Sequence, residues 1–335
     1  MRAVQIVTLD GPDAVRTVDV ESPVPGPGQV LIDVHAAGVT YPDVLQTRGA
    51  YQLKLALPFI PGSEVAGIVL DAPVSSGFRP GDRVAAFPGF GGFAEQVAAD
   101  PAVVFPLPNR LTFTAGAALP MNYLTAHFAL TRRGRVLPGE TVLVHGAAGG
   151  LGTAVVQLAR ALGTRVIAVV SSDAKAKTAR QAGAHDTVPV DGFREAVAEL
   201  TGGHGVHVIV DPVGGERFTD SLRCLAPEGR LLVLGFTAGE IPTVKVNRLL
   251  LNNVEVIGVG WGAYWLSQPT YLRAQWQELT THLKAGRLDP VIGSTLPLAH
   301  AADALRALDE RRTLGKVVLV PRTNDMERGT KSVRE

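Results

Sequence analysis

The stretch VLVHGAAGGLGTAVVQLARALG, residues 142–163, decides the fold. A short apolar strand runs into a glycine-rich turn. The turn opens a helix in which Leu151, Val155, Leu158 and Leu162 recur at helical spacing. This strand–turn–helix order is the setting in which a dinucleotide-binding glycine motif functions.

The turn fits the pattern G-x-G-x-x-G except at its first position, where Ala147 replaces glycine directly after Gly146. Small residues let the backbone approach a pyrophosphate closely, and the start of the helix offers free N–H groups to the phosphates. The alternative is a plain glycine-rich turn before a buried helix. The sequence context favours dinucleotide binding, with these contact residues: Gly146, Ala147, Gly149, Gly150, Leu151 and Gly152.

Strand and helix signals alternate on both sides of this segment. Alternation at this pitch predicts a parallel sheet with helices on both faces, spanning residues 122–258. The predicted strands are 141–145, 165–170, 187–190, 206–211, 230–234 and 254–258, and the predicted helices are 122–133, 151–162 and 174–182.

The flanking segments differ in texture. The first third contains short β-branched strands, such as VLIDVHAAGV (30–39) and EVAGIVL (64–70), between Pro/Gly turns. A long helix is predicted over 269–286, followed by the strand-like segments DPVIGSTLPL and KVVLV around a helix over 299–310. We therefore expect an α/β protein in which the domain 122–258 is inserted into a second domain, 1–121 plus 259–335. The tail 322–335 lacks apolar periodicity and is expected to be disordered.

Composition excludes several classes of protein. The chain has 335 residues and 46% hydrophobic content, and its single cysteine, Cys224, permits no intramolecular disulfide and no cysteine-rich metal site. A net charge of +1 favours neither nucleic acid nor an anionic membrane as a partner. No apolar run approaches a membrane span, and the first residues lack signal-peptide features, so we expect a cytoplasmic protein.

The end of the second strand indicates which dinucleotide is bound. In VIAVVSSDAKAK (166–177), Ser171 and Ser172 occupy the strand tip and Lys175 and Lys177 follow. Hydroxyls and lysines suit a 2′-phosphate, which favours NADPH. Asp173 competes with this interpretation because an acidic residue near this position would hold the ribose of NAD. The lysines are alternatively solvated residues of the next helix.

With these motifs the chain resembles the medium-chain dehydrogenase/reductase superfamily, and within it the zinc-free quinone oxidoreductase (zeta-crystallin-like) branch. The resemblance covers the chain to about residue 320 and implies a GroES-like catalytic domain, an inserted Rossmann domain and NAD(P)H-dependent reduction. Besides the glycine turn, it is carried by HAAGVTYPDVLQTRGAY (35–51), LPFIPGSEVAGIV (57–69), GDRVAAF (81–87), GGFAEQV (91–97) and NYLTAHFAL (122–130).

The resemblance also implies that the chain binds no metal. Zinc-dependent relatives have cysteine, histidine and cysteine ligands where this chain has Thr40, Ser63 and Met121, and only Glu64 remains. The cysteine-rich lobe of those relatives is absent. His35, the one histidine near these segments, fits a structural role. Without a Lewis acid, the acceptor must already be electrophilic, as quinones and α,β-unsaturated carbonyls are.

By resemblance, further residues take roles in the reaction. Thr40 replaces an asparagine near the nicotinamide, and Asp43 lies in the same loop. Tyr51 is either a proton donor or an aromatic of the cleft wall. The resemblance places these residues at the cofactor: Thr125, Gly235, Phe236 and Thr237.

Two features are left open. Trp261, Tyr264 and Trp265 line an acceptor pocket or belong to the core, and Lys316 matches a family lysine without a clear role.

The leading functional hypothesis is an NADPH-dependent quinone reductase. The alternatives are an alkene reductase for enones, alkenals or enoyl thioesters, and an NADPH-binding structural protein with little turnover. Family resemblance also implies a homodimer paired through the strand VEVIGVG (254–260).

Overall fold

The computed structural model describes residues 1–268 and 270–322, which form two compact units. The first unit comprises residues 1–121, 272–280 and those from 290 onward, and the second comprises 122–271 and 281–289. The assignment of residues 122–258 to a separate dinucleotide domain stays a prediction. Most of the tail expected to be disordered, 323–335, lies outside the described residues. Its first residue, Arg322, is instead held by a two-pronged ion pair to Asp33.

The first unit is built mainly of antiparallel strands. Its strands are β1 (Arg2–Ile6), β2 (Val15–Asp19), β3 (Val30–Val39), β4 (Glu64–Asp71), β5 (Arg83–Ala86), β6 (Gln96–Ala99) and β7 (Val104–Pro106). Its first two helices are α1 (Tyr41–Thr47) and α2 (Phe113–Gly116).

The second unit alternates strands and helices. Its strands are β8 (Thr141–Val144), β9 (Arg165–Val170), β10 (Asp186–Pro189), β11 (Val206–Asp211), β12 (Leu225–Val233) and β13 (Glu255–Gly258). The helices that follow α2 are α3 (Pro120–His127), α4 (Gly150–Ala161), α5 (Asp173–Gln181), α6 (Phe193–Leu200), α7 (Phe218–Arg223), α8 (Asn247–Asn252) and α9 (Trp261–Trp265). The next helix, α10 (Tyr271–Lys284), is divided between the units, because residues 272–280 belong to the first.

The last elements return to the first unit: β14 (Ile292–Pro297), α11 (Ala301–Asp309) and β15 (Lys316–Val320). They complete a seven-stranded sheet in the order β14-β15-β3-β4-β5-β7, with β6 paired to β3. Strand β3 is central to this sheet because it pairs with three other strands, β4, β6 and β15. The sheet that carries the first unit therefore joins strands from both ends of the chain.

The sheet of the second unit has the order β10-β9-β8-β11-β12-β13, and every pair is parallel. Numbered from β8, this is the order 3-2-1-4-5-6 of the dinucleotide-binding Rossmann fold. Leu143, Ile167, Ile209 and Leu231 are fully buried at its centre. The predicted doubly wound parallel sheet is confirmed.

Several boundaries differ from the predictions. Strand β12 begins at Leu225 and not at residue 230, because Leu225 pairs with Val206 before a shift in register. The segment LAPEG (225–229) contains Pro and Gly, which are not typical of a strand, so this first part was not predicted. Helices α6, α7 and α8 were not predicted. The helix predicted over 122–133 is α3 followed by a π-helix, Phe128–Arg133. Within the described part of the chain, no helix has the length and apolarity needed to cross a bilayer.

His145, directly after β8, is buried in the second unit. Its Nε2 lies 2.8 Å from the Ser221 hydroxyl, and that hydroxyl donates to the Arg217 carbonyl at 3.0 Å, so we assign the Nε2 proton to the imidazole. Nδ1 has no hydrogen-bond partner among the described residues. Burial lowers the pKa of His145 from 6.5 to about 4. The negative charge of Asp211 opposes this shift, and the positive charge of Arg217 adds to it.

This shift predicts a loss of stability in acid. Between pH 6.5 and 4, His145 is protonated in the unfolded chain but neutral in the folded one. The free energy of unfolding therefore decreases by up to about 1.4 kcal/mol for each unit by which the pH is lowered. His145→Gln keeps a donor toward Ser221 but cannot titrate. We expect its urea-unfolding midpoint to fall less than that of the wild type between about pH 7 and pH 4.5. His204→Gln, at an exposed histidine, serves as the control. An equal acid loss in wild type and His145→Gln would contradict the assignment.

Candidate active site

Thr40 and Asp43 form a buried hydrogen-bonded pair at the start of α1. The Thr40 backbone N–H and hydroxyl both donate to Asp43 Oδ2, at 2.7 and 2.6 Å, and Gly62 N–H lies 3.3 Å from Oδ1. A threonine before the helix with an aspartate three residues on is a common way to begin a helix. Burial raises the pKa of Asp43 to about 6, although the Thr40 hydrogen bonds and the Lys316 charge oppose the shift.

Glu64 and Lys316 form a second buried contact in the same unit, an ion pair between the first residues of β4 and β15. Their side chains are 0% and 4% exposed. The second oxygen of Glu64 accepts the Met121 backbone N–H at 2.7 Å. A Cβ on Gly38, in the intervening strand β3, would lie 2.6 Å from Glu64 Oε1 and 2.8 Å from Lys316 Cε, so only glycine leaves room for this pair. The structure thus gives Lys316 a partner that the sequence did not indicate.

The three positions that hold zinc in zinc-dependent relatives are gathered around these contacts. The Thr40 and Ser63 hydroxyls lie 3.3 Å apart, and Met121 binds Glu64 through its backbone. Two hydroxyls and a thioether are poor zinc ligands. Of the two carboxylates nearby, Glu64 is paired with the Lys316 ammonium group and Asp43 accepts the hydrogen bonds of Thr40. Among residues 1–268 and 270–322, no three His, Cys, Asp or Glu side chains are grouped to hold a metal. The donor set does not fit zinc.

Tyr51 follows α1 and is half-buried. Burial, and then the charge of Asp43, raise the pKa of its phenol above the ordinary value. The phenol therefore carries its proton at neutral pH and can act as a hydrogen-bond donor. His35 stacks on Phe113, with ring centroids 4.4 Å apart, which matches its predicted structural role.

In the second unit, the glycine turn joins β8 to α4 as predicted. Gly146 has a φ of +60°, and Gly149 lies in extended conformation immediately before the helix. A Cβ on Gly152 would lie 2.1 Å from the Gly146 carbonyl oxygen, so glycine is required for this close approach. Ala147 is fully buried, so its side chain is not exposed to a ligand.

Of the other predicted cofactor residues in this unit, Gly235, Phe236 and Thr237 follow strand β12, whereas Thr125 lies on a helix. Leu234 N–H and Thr237 N–H donate to the carbonyls of Asp211 and Pro212, which places the segment from Gly235 to Thr237 beside the loop after β11. Thr125 is half-buried on α3. The carboxyl ends of parallel strands are where dinucleotides bind in this fold.

Ser171, Ser172 and Lys175 come together at the end of β9. The Lys175 ammonium donates to the Ser171 hydroxyl at 3.0 Å, and Ser172 caps α5 by accepting Lys175 N–H at 3.3 Å. Lys177 and Asp173 are exposed. Lys175 is thus held at the strand tip beside two hydroxyls, whereas Lys177 is a surface residue of α5.

Tyr264 of the aromatic cluster belongs to a packed group within the second unit. Its ring lies 5.1 Å from Phe128, and the Arg132 guanidinium is 4.6 Å from its centroid. Gln157, a polar residue of α4 that accepts a hydrogen bond from the Tyr123 phenol, was not predicted from the sequence. The available signal was a glutamine within the apolar run AVVQLA.

Comparison with known proteins follows the same division. Residues 26–109 match the family model of the alcohol dehydrogenase GroES-like domain, and residues 150–284 match that of zinc-binding dehydrogenases. Quinone oxidoreductase-like protein 2 of Bos taurus is 41% identical over 298 residues, covering 88% of this chain and 85% of that protein.

Solved structures agree. A probable oxidoreductase from Mycobacterium abscessus shares 45% identity with a TM-score of 0.88, covering 96% of this chain and 99% of that one. The quinone oxidoreductase from Thermus thermophilus, also solved in complex with NADPH, shares 35% identity with a TM-score of 0.83, covering 96% and 100%. The chain therefore belongs to the quinone oxidoreductase family of the medium-chain dehydrogenase/reductase superfamily.

Proposed function

We propose that this chain is a zinc-independent reductase that transfers a hydride from NADPH to a quinone. The observation that carries the proposal is the buried contact set at the former zinc-ligand positions, where Thr40, Ser63 and the Lys316–Glu64 pair leave no metal donor set. An acceptor that needs no Lewis acid is then the reasonable substrate, and a quinone is one. Relatives named quinone oxidoreductase support this choice.

NADPH is supported by the end of β9 and by the solved relatives complexed with it. When bound, NADPH supplies the hydride. We propose that the turn from Gly146 to Gly152 binds the pyrophosphate and that Ser171, Ser172 and Lys175 bind the 2′-phosphate. Thr125 and the segment from Gly235 to Thr237 would then hold the nicotinamide end. Their task is to orient the cofactor and to exclude water.

In the first unit, we assign Thr40 a hydrogen bond toward the reacting groups and Asp43 the task of fixing Thr40. The Thr40 hydroxyl is already committed as a donor to Asp43, so it presents its lone pairs rather than its proton. Tyr51 retains a phenolic proton and is available as a hydrogen-bond donor. That donor is the observation favouring the second candidate function, reduction of an enone, alkenal or enoyl thioester.

The cofactor preference predicts a selective effect at Lys175. Losing a charge-assisted contact to phosphate costs about 1.5–3 kcal/mol, so Lys175→Ala should weaken NADPH binding at least about tenfold and leave NADH nearly unchanged. Lys177→Ala, at an exposed lysine on the same helix, is the matched control and should change neither. Fluorescence titration measures both dissociation constants. Equal losses for both cofactors would make Lys175 structural, and a native preference for NADH would favour Asp173.

Tyr51→Phe separates the two enzymatic candidates. Hydride transfer to a quinone gives a stabilised hydroquinone anion that takes its proton from water, whereas an enone gives an enolate that benefits from a positioned acid. General acid catalysis contributes about 10²–10⁴-fold. We expect small effects of Tyr51→Phe on both substrates, as for a cleft-wall residue, with NADPH oxidation as the assay and Tyr41→Phe on α1 as the control.

The other outcomes are equally decisive. A loss of at least about a hundredfold with enones and little change with quinones would make Tyr51 the acid and the chain an alkene reductase. Large losses on both substrates would indicate that Tyr51 positions the acceptor. NADPH binding without turnover on any quinone, enone or enoyl thioester would support the structural-protein alternative.

A homodimer and a cytoplasmic location stay predictions. Strand β13 is at the edge of the sheet. On helix α8, which precedes it in the sequence, Leu250 is 77% and Leu251 is 74% exposed to solvent. An apolar edge of this kind calls for a cover, and we propose a second copy of the chain. Light scattering should give twice 35.2 kDa at micromolar concentration. Leu250→Glu should yield monomers, while Val74→Glu, an exposed site in the other unit, should not. A monomeric wild type would refute the dimer.

A further inference from the structure

Gln157 joins three distant segments of the second unit through one buried amide. Its Oε1 accepts the Tyr123 phenol at 2.6 Å and the Asp289 backbone N–H at 2.9 Å, and its Nε2 donates to the Asp289 carbonyl at 2.5 Å. Gln157 is 8% exposed and Tyr123 is 2% exposed. Both ends of the amide are therefore satisfied by protein groups.

Two of the three segments carry residues of the proposed cofactor site. Gln157 lies on α4, the helix that begins at the pyrophosphate turn. Tyr123 lies on α3, two residues before Thr125, which we assign to the nicotinamide end. Asp289 is the last residue of the second unit and precedes Pro290, which restricts its backbone to extended conformations.

We propose that Gln157 is a positioning residue that fixes the pyrophosphate end of the NADPH site relative to its nicotinamide end. It acts by locking α3 and the segment at Asp289 onto α4, and it touches neither cofactor nor substrate. The inference rests on the proposed binding of NADPH.

The physical basis is the cost of moving a buried polar group. Sliding α3 along α4 would leave the Tyr123 phenol or the Gln157 amide without a partner, and an unsatisfied buried group is penalised far more than a surface one. The side-chain amide thus fixes a register that apolar packing alone leaves adjustable. A ligand that spans both ends gains affinity from this register, whereas a ligand that occupies one end does not.

This difference provides the test. Adenosine 2′,5′-bisphosphate carries the adenine end of NADPH but no nicotinamide. We expect Gln157→Met and Tyr123→Phe to raise the dissociation constant of NADPH about tenfold, a change of about 1.4 kcal/mol, and that of adenosine 2′,5′-bisphosphate less than about twofold. Isothermal titration calorimetry on the full chain measures both. Tyr123→Phe removes one oxygen atom and guards against a variant that fails to fold.

Thr164→Val is the matched control. Its hydroxyl is buried just after α4 and donates to the Ala159 carbonyl at 2.8 Å, so the variant loses one buried hydrogen bond without affecting α3 or Asp289. It should leave the ratio of the two dissociation constants unchanged. A proportional weakening of both ligands in Gln157→Met, or no weakening of either, would overturn the inference. A wild type that binds adenosine 2′,5′-bisphosphate but not NADPH would instead count against the proposed function.

Discussion

The buried ion pair between Lys316 and Glu64 is the interaction on which the first unit depends. A lone buried carboxylate costs several kcal/mol, so Glu64 at the start of β4 requires a cation. That cation comes from β15, 252 residues later in the chain. The chain returns to the first unit after the second, and the order β15-β3-β4 places Gly38 where the pair needs space.

The same pair also acts on Asp43, in two opposing directions. The Lys316 charge lowers the pKa of Asp43 against the larger effect of burial, while the charge of Glu64 acts in the opposite direction. Asp43 in turn fixes the orientation of the Thr40 hydroxyl. A site of this kind orients polar groups without supplying a strong Lewis acid. In the proposed reaction its contribution to rate is positioning, which suits hydride transfer to an acceptor that is already electrophilic.

Much of the second unit could be predicted because its signals are local. The strand–turn–helix at residues 142–163 and the alternation around it specify a parallel sheet, and short-range chemistry places Ser171, Ser172 and Lys175 at one strand tip. Contacts between distant segments could not be predicted. The partner of Lys316 depends on the pairing of β15 with β3, and Gln157 reads as one polar residue in an apolar helix until α3 and Asp289 are placed beside it. The start of β12 was missed because Pro and Gly interrupt its first half.

The two buried polar contacts also explain why a protein with so few reactive side chains can hold a defined site. The hydrophobic effect is non-directional and depends on the apolar area buried, so by itself it tolerates small shifts of helices and strands. A satisfied buried hydrogen-bond set does not, because displacement leaves donors and acceptors unpaired at a cost that packing does not repay. Lys316–Glu64 provides this constraint in the first unit and Gln157–Tyr123 in the second. Both pairs are buried, and neither is among the residues assigned to the reaction.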